Sequence, residues 1–96
     1  MPYLISHSIT ASKVLAILQR NNSRKYKKVI NTLGLLSRNP KHPGLNSHKV
    51  QDVTVPGGEE VWESYVENET AGAWRVFWYY GPDTGTITGF AITPHP

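Results

Sequence analysis

The stretch that most narrows the folds open to this chain is Ala73–Tyr80, which reads Ala-Trp-Arg-Val-Phe-Trp-Tyr-Tyr. Aromatic and β-branched residues suit a pleated, buried surface, and so short and aromatic a run makes a poor solvent-exposed helix. Period-two geometry sets Trp74, Val76, Trp78 and Tyr80 on one face and Arg75, Phe77 and Tyr79 on the other. Both faces are thus partly covered, as expected of a central strand. Arg75 is the only Lys or Arg after Lys49, and an arginine in mid-strand calls for a partner or a task.

Ninety-six residues make one domain, 1–96, with room for a modest core. The absence of cysteine excludes a disulfide framework, a thiolate nucleophile and a Cys-type zinc site. The first ten residues lack a basic segment and a long apolar run. No stretch approaches the roughly 18 apolar residues of a membrane span. A soluble, cytoplasmic protein without membrane contact is the expectation.

The net charge of +3 hides a division. Residues 1–50 hold nine of the ten Lys and Arg and no acid, whereas residues 51–96 hold all seven acids and only Arg75. The halves carry +9 and −6. Such asymmetry points to a polyanion or a strongly charged protein as partner of the first half. A helical face solvated by lysines is the alternative.

Tyr3–Ile9 reads as a first strand, with Tyr3, Ile5, His7 and Ile9 on one face. His7, on that mostly apolar face, reads as a hydrogen-bonded structural histidine. Thr10 or Ser12 can cap a first helix with Val14, Leu15, Ile17 and Leu18 as its apolar stripe. Asn21-Asn22-Ser23 breaks that helix and can cap the next. The second helix, about residues 24–37, places Tyr26, Val29, Ile30, Leu33 and Leu36 or Leu35 at helical spacing. Arg24, Lys25, Lys27 and Lys28 lie away from that stripe, and Asn39-Pro40 ends it. After the turn Lys41–Gly44, strands are expected within Leu45–Val55, over Val61–Glu67, over the aromatic run and over Thr86–Thr93. The last alternates Ile87, Gly89 and Ala91 against Thr88, Phe90 and Ile92. The expected class is α+β: an N-terminal strand, a two-helix hairpin, then a sheet of three or four antiparallel strands.

Several segments together resemble the RelE/ParE superfamily of toxins from toxin–antitoxin systems. They are Leu35-Leu36-Ser37-Arg38-Asn39-Pro40 at the end of the basic helix, His48-Lys49-Val50, and Val61-Trp62-Glu63-Ser64-Tyr65. Trp74-Arg75-Val76-Phe77-Trp78 and Ile87 through Ala91-Ile92-Thr93-Pro94-His95 complete the set. The arginine followed by three apolar or aromatic residues is the most characteristic of these, and the resemblance spans nearly all of the chain.

The resemblance implies a ribosome-dependent endoribonuclease that needs no metal or other cofactor and cleaves mRNA by attack of a 2′-hydroxyl on the adjacent phosphate. That chemistry asks for a base, an acid and cations around a phosphorane-like charge. Arg75 maps onto the arginine that holds the scissile phosphate, and His95 onto a C-terminal histidine able to serve as acid or base. Lys49 falls where family members carry a lysine, and His48 and Glu63 are candidate bases. Arg24, Lys25, Lys27, Lys28 and Lys41 would hold RNA at longer range. The other reading of Arg75 is an ion pair with Glu63 or Glu67 on an adjacent strand.

The chain departs from the family pattern in three places. Tyr65 stands where many members carry a second arginine, His95 is followed by Pro96 rather than Tyr or Arg, and Asn46 and Ser47 stand where one branch carries a glutamate. A second function therefore stays open: a non-catalytic or gyrase-directed homologue acting by protein binding. Under either, the resemblance implies a cognate antitoxin whose acidic or amphipathic segment wraps the basic half and the sheet.

Overall fold

A computed structural model describes residues 2–68 and 71–94. The elements run β1 (Leu4–His7), α1 (Ile9–Asn21), α2 (Ser23–Arg38), a 3-10 turn (Pro43–Leu45), β2 (His48–Thr54), β3 (Glu60–Tyr65), β4 (Trp74–Tyr80) and β5 (Thr86–Pro94). The five strands form one sheet in the order β1-β5-β4-β3-β2. The aromatic run is its central strand, between β3 and β5.

The expected antiparallel sheet is present as β2 to β5, and β1 joins it in parallel register along β5, with Ile5 opposite Ile87. The sheet is therefore mixed. Parallel neighbours need a long crossover. Here the helical hairpin carries the chain from the β1 edge to the opposite edge, β2.

Local chemistry sets the helix ends. Ser8, rather than Thr10 or Ser12, caps α1: its hydroxyl accepts from the Ala11 N–H at 3.0 Å and donates to the Phe90 carbonyl at 2.9 Å. The helix thus starts at Ile9, which leaves the expected first strand shorter than Tyr3–Ile9. Asn22 serves both helices. Its N–H bonds the Leu18 carbonyl, and its side chain accepts from Lys25 N–H at 3.1 Å to start α2. Asn39 is extended ahead of Pro40 and closes α2.

The helices pack on one face of the sheet. Ala11, Leu18, Val29, Leu33 and Leu36 meet Val76, Trp78, Ile87 and Ile92, with Leu45 closing one side. Val76 and Trp78 are sealed from solvent. Burial of such a side chain contributes about 1.5–3 kcal/mol.

Two departures from strict strand alternation position the other face. Between β4 and β5 the register shifts, so that Trp78 faces Gly89, Phe77 faces Ala91 and Phe90 is the extra residue. The bulge switches the face of the residues beyond it, and both Ile87 and Ile92 are buried in the core. In β2 the register shifts between Lys49 and Thr54, where Asp52 takes a left-handed backbone with φ 59°. His7 also differs from expectation: its Nδ1 is buried without a hydrogen-bond partner among the described residues, and burial pushes its pKa down. Its cross-strand neighbour is Gly89, which has no side chain to offer.

Candidate functional site

Cross-strand register builds a row on the face turned away from the helices. His48 stands opposite Glu63, Glu63 opposite Phe77, and Tyr65 opposite Arg75. Three strands therefore bring the imidazole, the carboxylate and the guanidinium together. His48 Nε2 lies 2.7 Å from Glu63 Oε1, and Arg75 Nε lies 3.6 Å from Glu63 Oε2.

Arg75 is held on all sides. Its guanidinium stacks on the Tyr65 ring, 3.7 Å from the ring centre. Nη1 donates to the Glu67 carbonyl at 3.0 Å and to its own neighbour, the Trp74 carbonyl, at 3.4 Å. Nε is buried and makes no hydrogen bond to the described residues. Of the two acids proposed as partners in the sequence, Glu63 supplies the carboxylate and Glu67 only its backbone. Arg75 and Glu63 each keep about a tenth of their side-chain surface exposed, against about half for His48.

His48 is aimed by the turn before it. Asn46 takes a left-handed backbone, φ 48°, at the end of the 3-10 turn, and its carbonyl lies 3.0 Å from His48 Nδ1. Each ring nitrogen thus faces an oxygen acceptor, so whichever nitrogen carries the proton in the neutral ring donates to one of them. The Tyr65 ring stands edge-on to the imidazole at 5.9 Å. One row therefore offers the Arg75 guanidinium for an anion and a carboxylate–imidazole pair able to pass a proton.

Beside this row the same face carries half-exposed aromatic side chains. Phe90, brought there by the bulge, contacts Phe77 at 6.4 Å and Tyr79 at 6.0 Å. Strict alternation in the sequence sets Phe90 beside Ile92, and the bulge is what brings it among these rings.

The remaining sequence candidates scatter. Lys49 follows His48 and so turns to the other side of the strand, where its ammonium meets Glu60 at 3.2 Å. His95 lies outside the described residues. Arg24 and Lys27 are exposed on α2, and Lys41 is exposed in the turn after it. Lys25 and Lys28 instead reach Glu67, at 2.5 and 3.0 Å. Lys25 also lies over the Trp74 ring. The Lys25 ammonium is the chief reason that the Glu67 carboxyl is held down to about 2, with burial opposing it and Lys28 and the Trp74 N–H assisting. Two of the five α2 cations thus bind Glu67, just beyond the end of β3.

No group of three or more potential metal ligands forms among the described residues. No described helix is long and apolar enough to cross a membrane.

No protein-family model matches the sequence, and no curated protein matches it. Solved structures do match. The YoeB dimer from Staphylococcus aureus is 18% identical with a TM-score of 0.74, over 100% of both chains. A YoeB/ParE toxin from Agrobacterium tumefaciens is 11% identical with a TM-score of 0.73, over 97% of this chain and 99% of that one. The archaeal RelE–RelB complex from Pyrococcus horikoshii OT3 is 15% identical with a TM-score of 0.70, over 98% of this chain and 96% of that one. At such identities the likeness is one of architecture: the chain has the fold shared by the toxins of the RelE/ParE superfamily.

Proposed function

We propose that this protein is the toxin of a toxin–antitoxin system and that it cleaves mRNA on the ribosome, with the His48–Glu63–Arg75 row as its reaction centre. The observation that carries the reading is the convergence of these three side chains on the open face of a sheet whose architecture is that of known toxins. In this reading Arg75 stabilises charge on the phosphate. Its stacking on Tyr65 and its contact with Glu63 fix its orientation before substrate arrives, which lowers the cost of organising the transition state. The Glu63–His48 pair accepts the 2′-proton, and His95 remains the candidate acid for the leaving 5′-oxygen. Arg24, Lys27 and Lys41 supply long-range attraction to RNA. Lys25 and Lys28 are committed to Glu67 and contribute less. No cofactor is required.

The presence of RelB with RelE in the archaeal complex supports a cognate antitoxin as partner. Expression in a bacterial host tests the reading: growth arrest that His48→Ala and Arg75→Ala both relieve, with messages cut within codons, supports it.

One observation favours a second reading. Arg75 is nearly buried and already bonded to backbone carbonyls, as a structural cation would be. A non-catalytic homologue that acts by binding a protein target such as DNA gyrase would arrest growth without cutting messages. It would also keep its toxicity when His48 is changed.

A further inference from the structure

The helix side of the sheet carries a second feature. A cavity of about 690 Å³ opens between the loop after α2 and the exposed ends of β3 and β4. That volume falls within the roughly 300–1,000 Å³ of small-molecule sites. Its aromatic walls are Tyr3, Trp62, Trp78 and Tyr80, and Lys41 and His42 form part of its lining from the loop.

The rings brace one another. Trp62 stacks on Trp78 at 5.9 Å and 18°, while Tyr80 stands edge-on to both at 6.5 and 5.0 Å. Tyr3 closes the side at 5.7 Å from Tyr80. Trp78 is spoken for: its indole N–H donates to Ser64 Oγ at 2.7 Å. The hydroxyls of Tyr3 and Tyr80 and the indole N–H of Trp62 make no hydrogen bond to the described residues. Burial, aided by Tyr3, raises the pKa of Tyr80, so its hydroxyl stays a donor.

Charge is polarised across the cavity. Glu59 and Glu60 lie beyond Trp62 and Tyr80, with Glu60 tied to Lys49, and Asp83 lies past Tyr80 on another side. Lys41 and His42 stand at the loop wall. His42 Nδ1 accepts the Gly44 N–H at 3.0 Å, which leaves Nε2 as the donor. An anionic group entering the cavity is steered to this wall, away from the acids.

Flat aromatic faces, free polar tips and a basic rim are the features by which proteins take up unpaired bases: stacking on the faces, hydrogen bonds to base edges and a cation on the phosphate. We infer that this cavity receives a single unpaired nucleotide, its base against Trp62 and Tyr80 and its phosphate at Lys41 and His42. An extruded nucleotide of a structured RNA has this form. The cavity lies across the sheet from Arg75, so the inference holds or fails independently of the cleavage reading.

The test follows the indole N–H signals of the ¹⁵N-labelled full chain during titration with AMP, adenosine and inorganic phosphate. The expected result is a saturable shift of Trp62, tighter for AMP than for adenosine, with Trp74 unmoved as the internal control. Phosphate alone leaves Trp62 in place. Tyr80→Ala, at a position already 36% exposed, weakens AMP on the order of tenfold. Lys41→Ala reduces AMP to the affinity of adenosine. Retention of the dispersed Trp78 signal confirms that each variant is folded. Arg75→Ala leaves AMP binding unchanged, which separates this site from the cleavage site. The inference is overturned if Trp62 does not move, if Trp74 moves with the same dependence, or if acetyl-Asp-Trp-Asp-amide saturates the Trp62 shift where AMP does not. That last outcome would assign the cavity to a protein segment.

Discussion

Glu63 binds His48 through one carboxylate oxygen, at 2.7 Å, while the other faces Arg75 at 3.6 Å. A single acid thus sets the spacing of the imidazole and the guanidinium on the open face. Glu63→Gln keeps the shape and removes the charge, so the imidazole loses its carboxylate partner and the guanidinium the anion that orients it. RNA cleavage is expected to fall by at least an order of magnitude, as for loss of a positioned acid–base group, while the fold is retained. Glu63→Ala should in addition cost about 1–3 kcal/mol of stability, because Arg75 is left without a carboxylate partner. Urea denaturation beside a cleavage assay separates the two effects, and a stable but fully active Glu63→Gln protein would remove Glu63 from the mechanism.

Glu67 gives the fold an acid-sensitive tie. Its carboxyl is held near 2 in the folded chain, below the ordinary 4.5, mainly by Lys25. A depressed carboxylate stabilises the fold fully above its unfolded pKa, and that contribution fades as pH falls from about 4.5 towards 2. Lys28 is 43% exposed, so solvent screening holds the effect to about 1–2 kcal/mol. Urea midpoints between pH 6 and pH 2.5 should decline more steeply for the natural chain than for Glu67→Gln. Parallel declines would count against the tie.

A chain of hydroxyls fixes the loop before β2 to the sheet. Ser47 donates to the Pro40 carbonyl or shares its proton with Ser64, 2.6 Å away, and Ser64 accepts from the Trp78 indole. Ser64→Ala strands a buried N–H and should cost about 1–3 kcal/mol. Ser64→Thr, which keeps the hydroxyl, serves as the control for the bond itself. Loss of stability in both variants to the same extent would point to packing rather than hydrogen bonding.

Ser8 joins the start of α1 to the bulge in β5 through its hydroxyl. Ser8→Ala removes a helix cap and a sheet contact together, for about 1–2 kcal/mol. Ser8→Gly should cost less, since glycine is tolerated at the cap. Thermal unfolding monitored by circular dichroism ranks the two variants against the natural chain, and a Ser8→Ala protein as stable as the natural one would mean that the hydroxyl does not act as the cap.

What could be read in the sequence was mostly local. Asn22 and the Asn39-Pro40 pair mark the bounds of α2, and both act through a side chain or ring within a few residues of the helix end. The central place of the aromatic run was visible because both its faces are apolar. The parallel edge strand was not, since pairing of β1 with β5 depends on chain more than 80 residues away. Nor was the bulge at Phe90, which reverses the alternation that the sequence displays. His48, Glu63 and Arg75 could each be singled out, yet only the register of three strands brings them into one row. Lys25 and Lys28 look solvated by helical spacing, and it is Glu67, reaching across from the end of β3, that draws them in.

The central claim is that this row cuts RNA, and primer extension on a defined message in a reconstituted translation system tests it most directly. The natural chain should produce cuts within codons only when ribosomes are present. Arg75→Ala should abolish them, and so should His48→Ala, whose exposed position leaves the fold intact. Folded natural protein that leaves the message whole, or cuts that persist in folded His48→Ala and Arg75→Ala, would contradict the account.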